Sequence, residues 1–173
     1  MAAGLSYLIG DIIGGRITPD YSYRANAVSE LVQSGAKDRV FLSSFLFVHA
    51  MCIILFSIGI LTNHTYHENR MVFIAGIGLL VVGICHALSS SIFPQDPVGD
   101  PATFPGRMHL VLVGITVVVL FIVLPLMAQG MHVDRDWGSF RTLTFVCLPI
   151  MIIGGVLTPV VVGRGIEAMG LLE

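Results

Sequence analysis

Three side chains in the polar stretches of a mostly apolar chain are of types that carry chemistry: Glu30, Asp96 and His109. Two carboxylates and an imidazole can hold a divalent metal, or act together as general acid and base. Each has neighbours suited to holding a ligand. Tyr21, Arg24 and Ser29 accompany Glu30, and Arg107 precedes His109. His86 and Ser90 stand near the end of the apolar run before Asp96, and residues four apart share a helix face. Together they could extend a site inward. The same residues also support a plainer arrangement. Asp96 would cap a turn, His109 would pair with it, and Arg24 or Arg107 would neutralise Glu30, so that the network only locks two loops. His86 would then bond to a neighbouring carbonyl.

Other groups carry less. His49 and Cys52 are three residues apart inside an apolar run, which suits a hydrogen-bonded interior histidine better than a metal pair. His64, His67 and Glu68 read as a solvated loop. The eight methionines are scattered, as gap-filling residues would be. The chain has no G-x-S-x-G, P-loop, dinucleotide fingerprint, H-E-x-x-H or paired C-x-x-C motif.

The elements that must position these residues are long apolar runs. Residues 40–61 and 71–92 are 22 residues each, and the first carries no formal charge. At ~1.5 Å per residue each would span roughly 33 Å, enough for a hydrocarbon core of about 30 Å. Residues 108–128 and 143–162 are two further spans, the last interrupted by Gly154-Gly155, Pro149 and Pro159, which predict a kink or break. Residues 2–17 form a shorter apolar segment containing Asp11 and a Gly10-x-x-x-Gly14 pair suited to close helix approach.

Between these runs, residues 21–33 alternate at helical spacing. Ser22, Asn26, Ser29 and Gln33 share one face, while Tyr21, Ala25, Val28 and Val32 share another. This predicts a short amphipathic helix at the membrane interface. Residues 92–109 hold four prolines, two aspartates, an arginine and a histidine, and read as a shaped, non-helical connection.

Composition agrees. The chain has 173 residues, 55% hydrophobic and 12% charged, with a mean hydropathy of +0.88. Soluble domains carry about 25% charged residues, so lipid must cover this surface. The expected fold is an all-α, polytopic transmembrane bundle of five apolar helices in one domain. A net charge of -2 gives no basis for a nucleic-acid partner. Cys52, Cys85 and Cys147 each fall in an apolar run, an odd count that argues against a disulfide framework.

Residues 16–39 and 93–107 are separated by two strong spans and therefore share one side of the membrane. With the tail, their Arg16, Arg24, Lys37, Arg39, Arg107 and Arg164 outnumber Arg70, Arg135 and Arg141 opposite, which predicts that this side is cytoplasmic. The sequon Asn63-His64-Thr65 then falls on the outer side, and Trp137 suits an interfacial position.

Two segments together carry a resemblance. One is Pro19-Asp-Tyr-Ser-Tyr-Arg-Ala-Asn-Ala-Val-Ser-Glu-Leu31. The other is Ile92-Phe-Pro-Gln-Asp96, followed by His109. The chain resembles, over essentially its whole length, a bacterial and archaeal membrane family called domain of unknown function 998. That family is distantly similar to the DRAM-type multispanning proteins. The resemblance implies a six-helix fold, of which five helices are present here, and Gly170-Leu-Leu-Glu173 resembles the motif before the last one. It implies no activity.

The leading expectation is a non-catalytic, multi-pass protein of the cell membrane that binds membrane lipids or joins other membrane protein subunits. No cofactor is expected, although a divalent metal fits the Glu30, Asp96 and His109 set. The alternative is a membrane-embedded enzyme acting on lipid headgroups through those residues. A small transporter ranks last, because few charges lie deep in the spans.

Overall fold

The computed structural model describes residues 1–63, 66, 68–98, 100, 102–131 and 138–163; within the last helix it describes the side chains of 138–154 and 157. His64, His67, Trp137, Arg135, Arg164 and the closing motif lie outside the described residues, as does part of the sequon.

The described residues form five α-helices: α1 (Ala2–Ile17), α2 (Arg39–Thr62), α3 (Arg70–Ser91), α4 (Phe104–Gly130) and α5 (Gly138–Gly163). Three of them, α2, α3 and α4, are long and apolar enough to cross a membrane. Helix α5 is apolar over Gly138–Gly154. No strand occurs among the described residues. The protein is a helical membrane bundle.

Local chemistry sets the helix ends. Asn69 caps α3, its Oδ1 accepting from the backbone N–H groups of Met71 (3.1 Å) and Val72 (3.4 Å). Thr103 caps α4, its hydroxyl oxygen accepting from the Gly106 N–H at 3.2 Å. Pro105 sits in the first turn, where its missing N–H costs no helical bond. These two residues start α4 at Phe104, ahead of the apolar run at 108–128. Helix α5 continues through Pro149 and Pro159 without the break that the prolines and glycines suggested. A proline removes a single backbone bond, which a long transmembrane helix tolerates.

Consecutive helices are neighbours: α1 packs on α2, α2 on α3, α3 on α4 and α4 on α5. Helix α1 lies along the first half of α2. A Cβ at Gly10 would meet the Phe45 Cβ at 2.8 Å, and one at Gly14 would meet the Leu31 Cδ1 at 2.7 Å. The glycine pair therefore does provide a close approach. The Ser6 hydroxyl donates to the Phe45 carbonyl at 2.7 Å across this contact.

The end bearing Asn69 is dry and tight. Ile60, Val72, Ala75, Val123, Met127 and Met131 form its buried cluster. The buried Ser57 hydroxyl donates to the Gly76 carbonyl at 3.1 Å, and the Asn69 amide donates to the Gly130 carbonyl at 2.7 Å.

At the other end the polar stretches come together. The short helix expected near 21–33 is a 3-10 helix over Val28–Val32, preceded by a turn. The Asn26 side chain accepts from the Ser22 N–H at 2.9 Å and donates to Glu30, which fixes the turn and keeps the segment from forming one continuous α-helix. Leu31 and Val32 bury against Leu42, with Ile13, Tyr21, Val28 and Leu46 packed around them. The Ser34 N–H donates to the Gln95 carbonyl at 2.8 Å, tying the two polar stretches together.

A histidine-lined cavity at the loop-bearing end

Beneath this junction lies a cavity of about 230 Å³. Tyr7 of α1, Leu46 and His49 of α2, and His86, Ser89 and Ser90 of α3 form much of its wall. His109, Leu110 and Val113 of α4 complete it, with Val28, Ser29 and Val32 of the 3-10 helix and Gln95 of the connecting loop above. Helical register explains the set. Leu46 and His49 are three apart on α2, His86, Ser89 and Ser90 are three or four apart on α3, and Leu110 and Val113 are three apart on α4.

The histidines are held in place. The His49 Nδ1 lies 2.9 Å from the Ala3 carbonyl, and the His109 Nδ1 lies 2.9 Å from the Phe93 carbonyl. His86 stacks on His49 with ring centroids 5.3 Å apart and planes 26° apart. Tyr7 also approaches His49, with ring centroids 5.4 Å apart and planes tilted by 54°. The Ser89 hydroxyl donates to the His86 carbonyl at 3.1 Å, and the Ser90 hydroxyl donates to the Ala87 carbonyl at 3.3 Å. His109 and Ser90 are buried, whereas Leu110 is 67% exposed and Val113 is 42% exposed. The inner wall thus mixes fixed polar groups with the apolar Val28, Val32 and Leu46, and on α4 it continues onto the exposed Leu110 and Val113.

Of the three residues proposed first from the sequence, only His109 lines the cavity. Glu30 is committed to its own turn. One carboxylate oxygen accepts from the Asn26 amide and the other from the Ala27 N–H, both at 2.8 Å. Asp96 is committed to the start of α4. It accepts from the Thr103 N–H at 2.8 Å and from the Thr103 hydroxyl at 2.7 Å. Gly106 leaves room for this, because a Cβ there would collide with the Asp96 carboxylate. The Thr103 hydrogen bonds hold the Asp96 carboxyl below its usual range, and Arg107 adds a smaller contribution in the same direction. His109 bonds to the Phe93 carbonyl and not to Asp96.

The ligand candidates divide in the same way. Ser29, His86 and Ser90 line the cavity. Tyr21 hydrogen-bonds to Asp11, and its ring meets Tyr23 edge to face at 5.3 Å. Arg24 and Arg107 are exposed. Among the described residues, no group of three or more His, Cys, Asp or Glu side chains is placed to hold a metal ion.

The sequence does not single out Tyr7 or Gln95, and His49 reads in it as an interior histidine. His49 does make the expected hydrogen bond, and it also forms a cavity wall. Its spacing of three residues from Leu46 on a lipid-length helix was the available signal. The partner histidine, 37 positions further on, could be matched only by the packing of α2 on α3.

Comparison with characterised proteins and with solved structures gives no match. The family model described as "Protein of unknown function (DUF998)" matches residues 1–173, so a membrane bundle with a histidine-lined cavity under two joined loops belongs to that family.

Proposed function

We propose that this protein is a non-catalytic component of the cell membrane that holds the headgroup of a lipid in the cavity between α1, α2, α3 and α4. The observation that carries this reading is the make-up of the wall. Imidazoles and hydroxyls are set among Val28, Val32 and Leu46 in the interior, and the strongly exposed Leu110 continues the wall onto the outer face of α4. A headgroup with its chain lying along Leu110 and Val113 matches both parts. The volume favours a small group. At ~30 Å³ per water molecule it corresponds to about eight waters, below the roughly 300–1,000 Å³ of sites that enclose a whole ligand.

The engagement of Glu30 and Asp96 in caps supports binding over acid–base catalysis. A carboxylate that anchors a turn or a helix start cannot shuttle protons without releasing it. Membership of a larger membrane assembly is compatible with the same cavity and is tested alongside it.

The test is purification in a mild detergent followed by native mass spectrometry. A lipid bound at about one per chain is expected for the natural protein and is expected to be absent from Ser89→Phe, which fills the cavity. Equal lipid retention by a folded Ser89→Phe protein would overturn the assignment. Stoichiometric copurification of other subunits in the same spectra would identify an assembly.

A further inference from the structure

We infer that the headgroup is uncharged and carries several hydroxyls, as in a diacylglycerol or a glycosylated diacylglycerol, and is not a phosphate ester. The inference rests on the binding role proposed above and identifies the ligand class. It comes from counting protons in the wall. A carbonyl can only accept, so the bonds to Ala3 and Phe93 place a proton on Nδ1 of His49 and of His109. In the neutral ring this leaves Nε2 with a lone pair. The Ser89 and Ser90 protons are likewise spent on carbonyls of their own helix, which leaves oxygen lone pairs. Four side chains of the wall thus offer acceptors.

Among the described lining residues there is no aspartate or glutamate to pair with a cationic group. There is also no lysine or arginine among the described lining residues. A phosphodiester would bring negative charge to a wall with no described lysine or arginine to pair with it. Burying it unpaired is unfavourable. A primary ammonium would donate, but no lining carboxylate is described to compensate its desolvation. A hydroxyl donates to the imidazoles and serines and can accept in turn from Gln95 or Ser29, both of which line the cavity.

The experiment uses the full chain in nanodiscs of phosphatidylcholine doped in parallel with dioleoylglycerol, monogalactosyl diacylglycerol, phosphatidylglycerol or phosphatidylethanolamine. Free glycerol and free galactose are added as separate arms. Binding is read by native mass spectrometry and by the shift in thermal midpoint. We expect one of the two uncharged lipids to bind at least tenfold more tightly than either phospholipid. We also expect the free polyols to produce no shift, which distinguishes a lipid headgroup from a soluble sugar. Ser29→Lys, at the half-buried rim, is expected to reverse the order in favour of phosphatidylglycerol while the melting curve stays intact. A tenfold preference of the natural protein for phosphatidylglycerol or phosphatidylethanolamine, abolished by Ser89→Phe, would overturn the headgroup class and leave lipid binding standing. No binding of any lipid by a folded protein would overturn both.

Discussion

The two ends of the bundle are built on opposite terms. At the Asn69 end, apolar side chains close the space between helices, and two polar pairs bridge helices: the buried Ser57 with Gly76, and the half-buried Asn69 with Gly130. At the Gln95 end, the polar groups are more numerous and surround a space of about 230 Å³. In lipid, helix association gains little from the hydrophobic effect and depends on close packing and hydrogen bonds. The closed end meets that demand. The open end departs from it: Glu30 and Asp96 each brace their own loop, and Ser34 ties the two loops together. The difference separates a part that holds the helices together from a part free to hold something else.

Substitutions should show this contrast. The largest effect is expected at the closed end. Gly130→Leu would place a Cβ 2.6 Å from the Val72 Cγ2 and 3.1 Å from its backbone nitrogen. Overpacking of this kind costs about 3 kcal/mol, read as a lowered midpoint of unfolding in detergent. Asn69→Ala removes the α3 cap and the bond to Gly130 together, for about 2 kcal/mol. Thr103→Ala removes the α4 cap and a partner of Asp96, for about 1 kcal/mol. If Thr103→Ala destabilised more than Gly130→Leu, the open end would be the structural core and the contrast would fail.

Much of this was legible in the sequence, and the part that was not has a definite cause. The long apolar runs fixed four helices, because span length depends only on local composition. The Ser22–Gln33 stripe located a helical segment but not its extent, since Asn26 can satisfy the backbone itself, as it does at Ser22. Glu30 and Asp96 stand in loops that meet at one end of the bundle, as the two spans between them require. Whether a carboxylate caps a turn or faces a cavity depends on a partner such as Ala27 or Thr103, and spacing alone leaves both open. The His49–His86 stack depends on how α2 and α3 pack, information carried by no single stretch.

Smaller effects sharpen the comparison further. The Asp96 carboxyl is held below its ordinary range, so its contribution is complete at pH above the unfolded value of 3.8. That contribution fades as pH falls through the lower folded value. Hydrogen exchange at residues 102–106 is expected to rise on such acidification, and Asp96→Asn is expected to show the raised exchange already at neutral pH. Identical exchange in the variant would detach Asp96 from the helix start. The smallest change is expected for Ser29→Ala, with stability altered by less than about 0.5 kcal/mol and lipid retention in native mass spectra reduced. A large loss of stability there would make the cavity rim part of the scaffold.

The single backbone bond from Ser34 to Gln95 has a kinetic consequence. It ties the two loops to each other above the cavity, so that under the proposed role arrivals would come sideways past the exposed Leu110. Occupancy would then follow the mole fraction of ligand within the bilayer plane. Diluting the surrounding buffer would leave it unchanged, whereas diluting the membrane with inert lipid would empty the cavity.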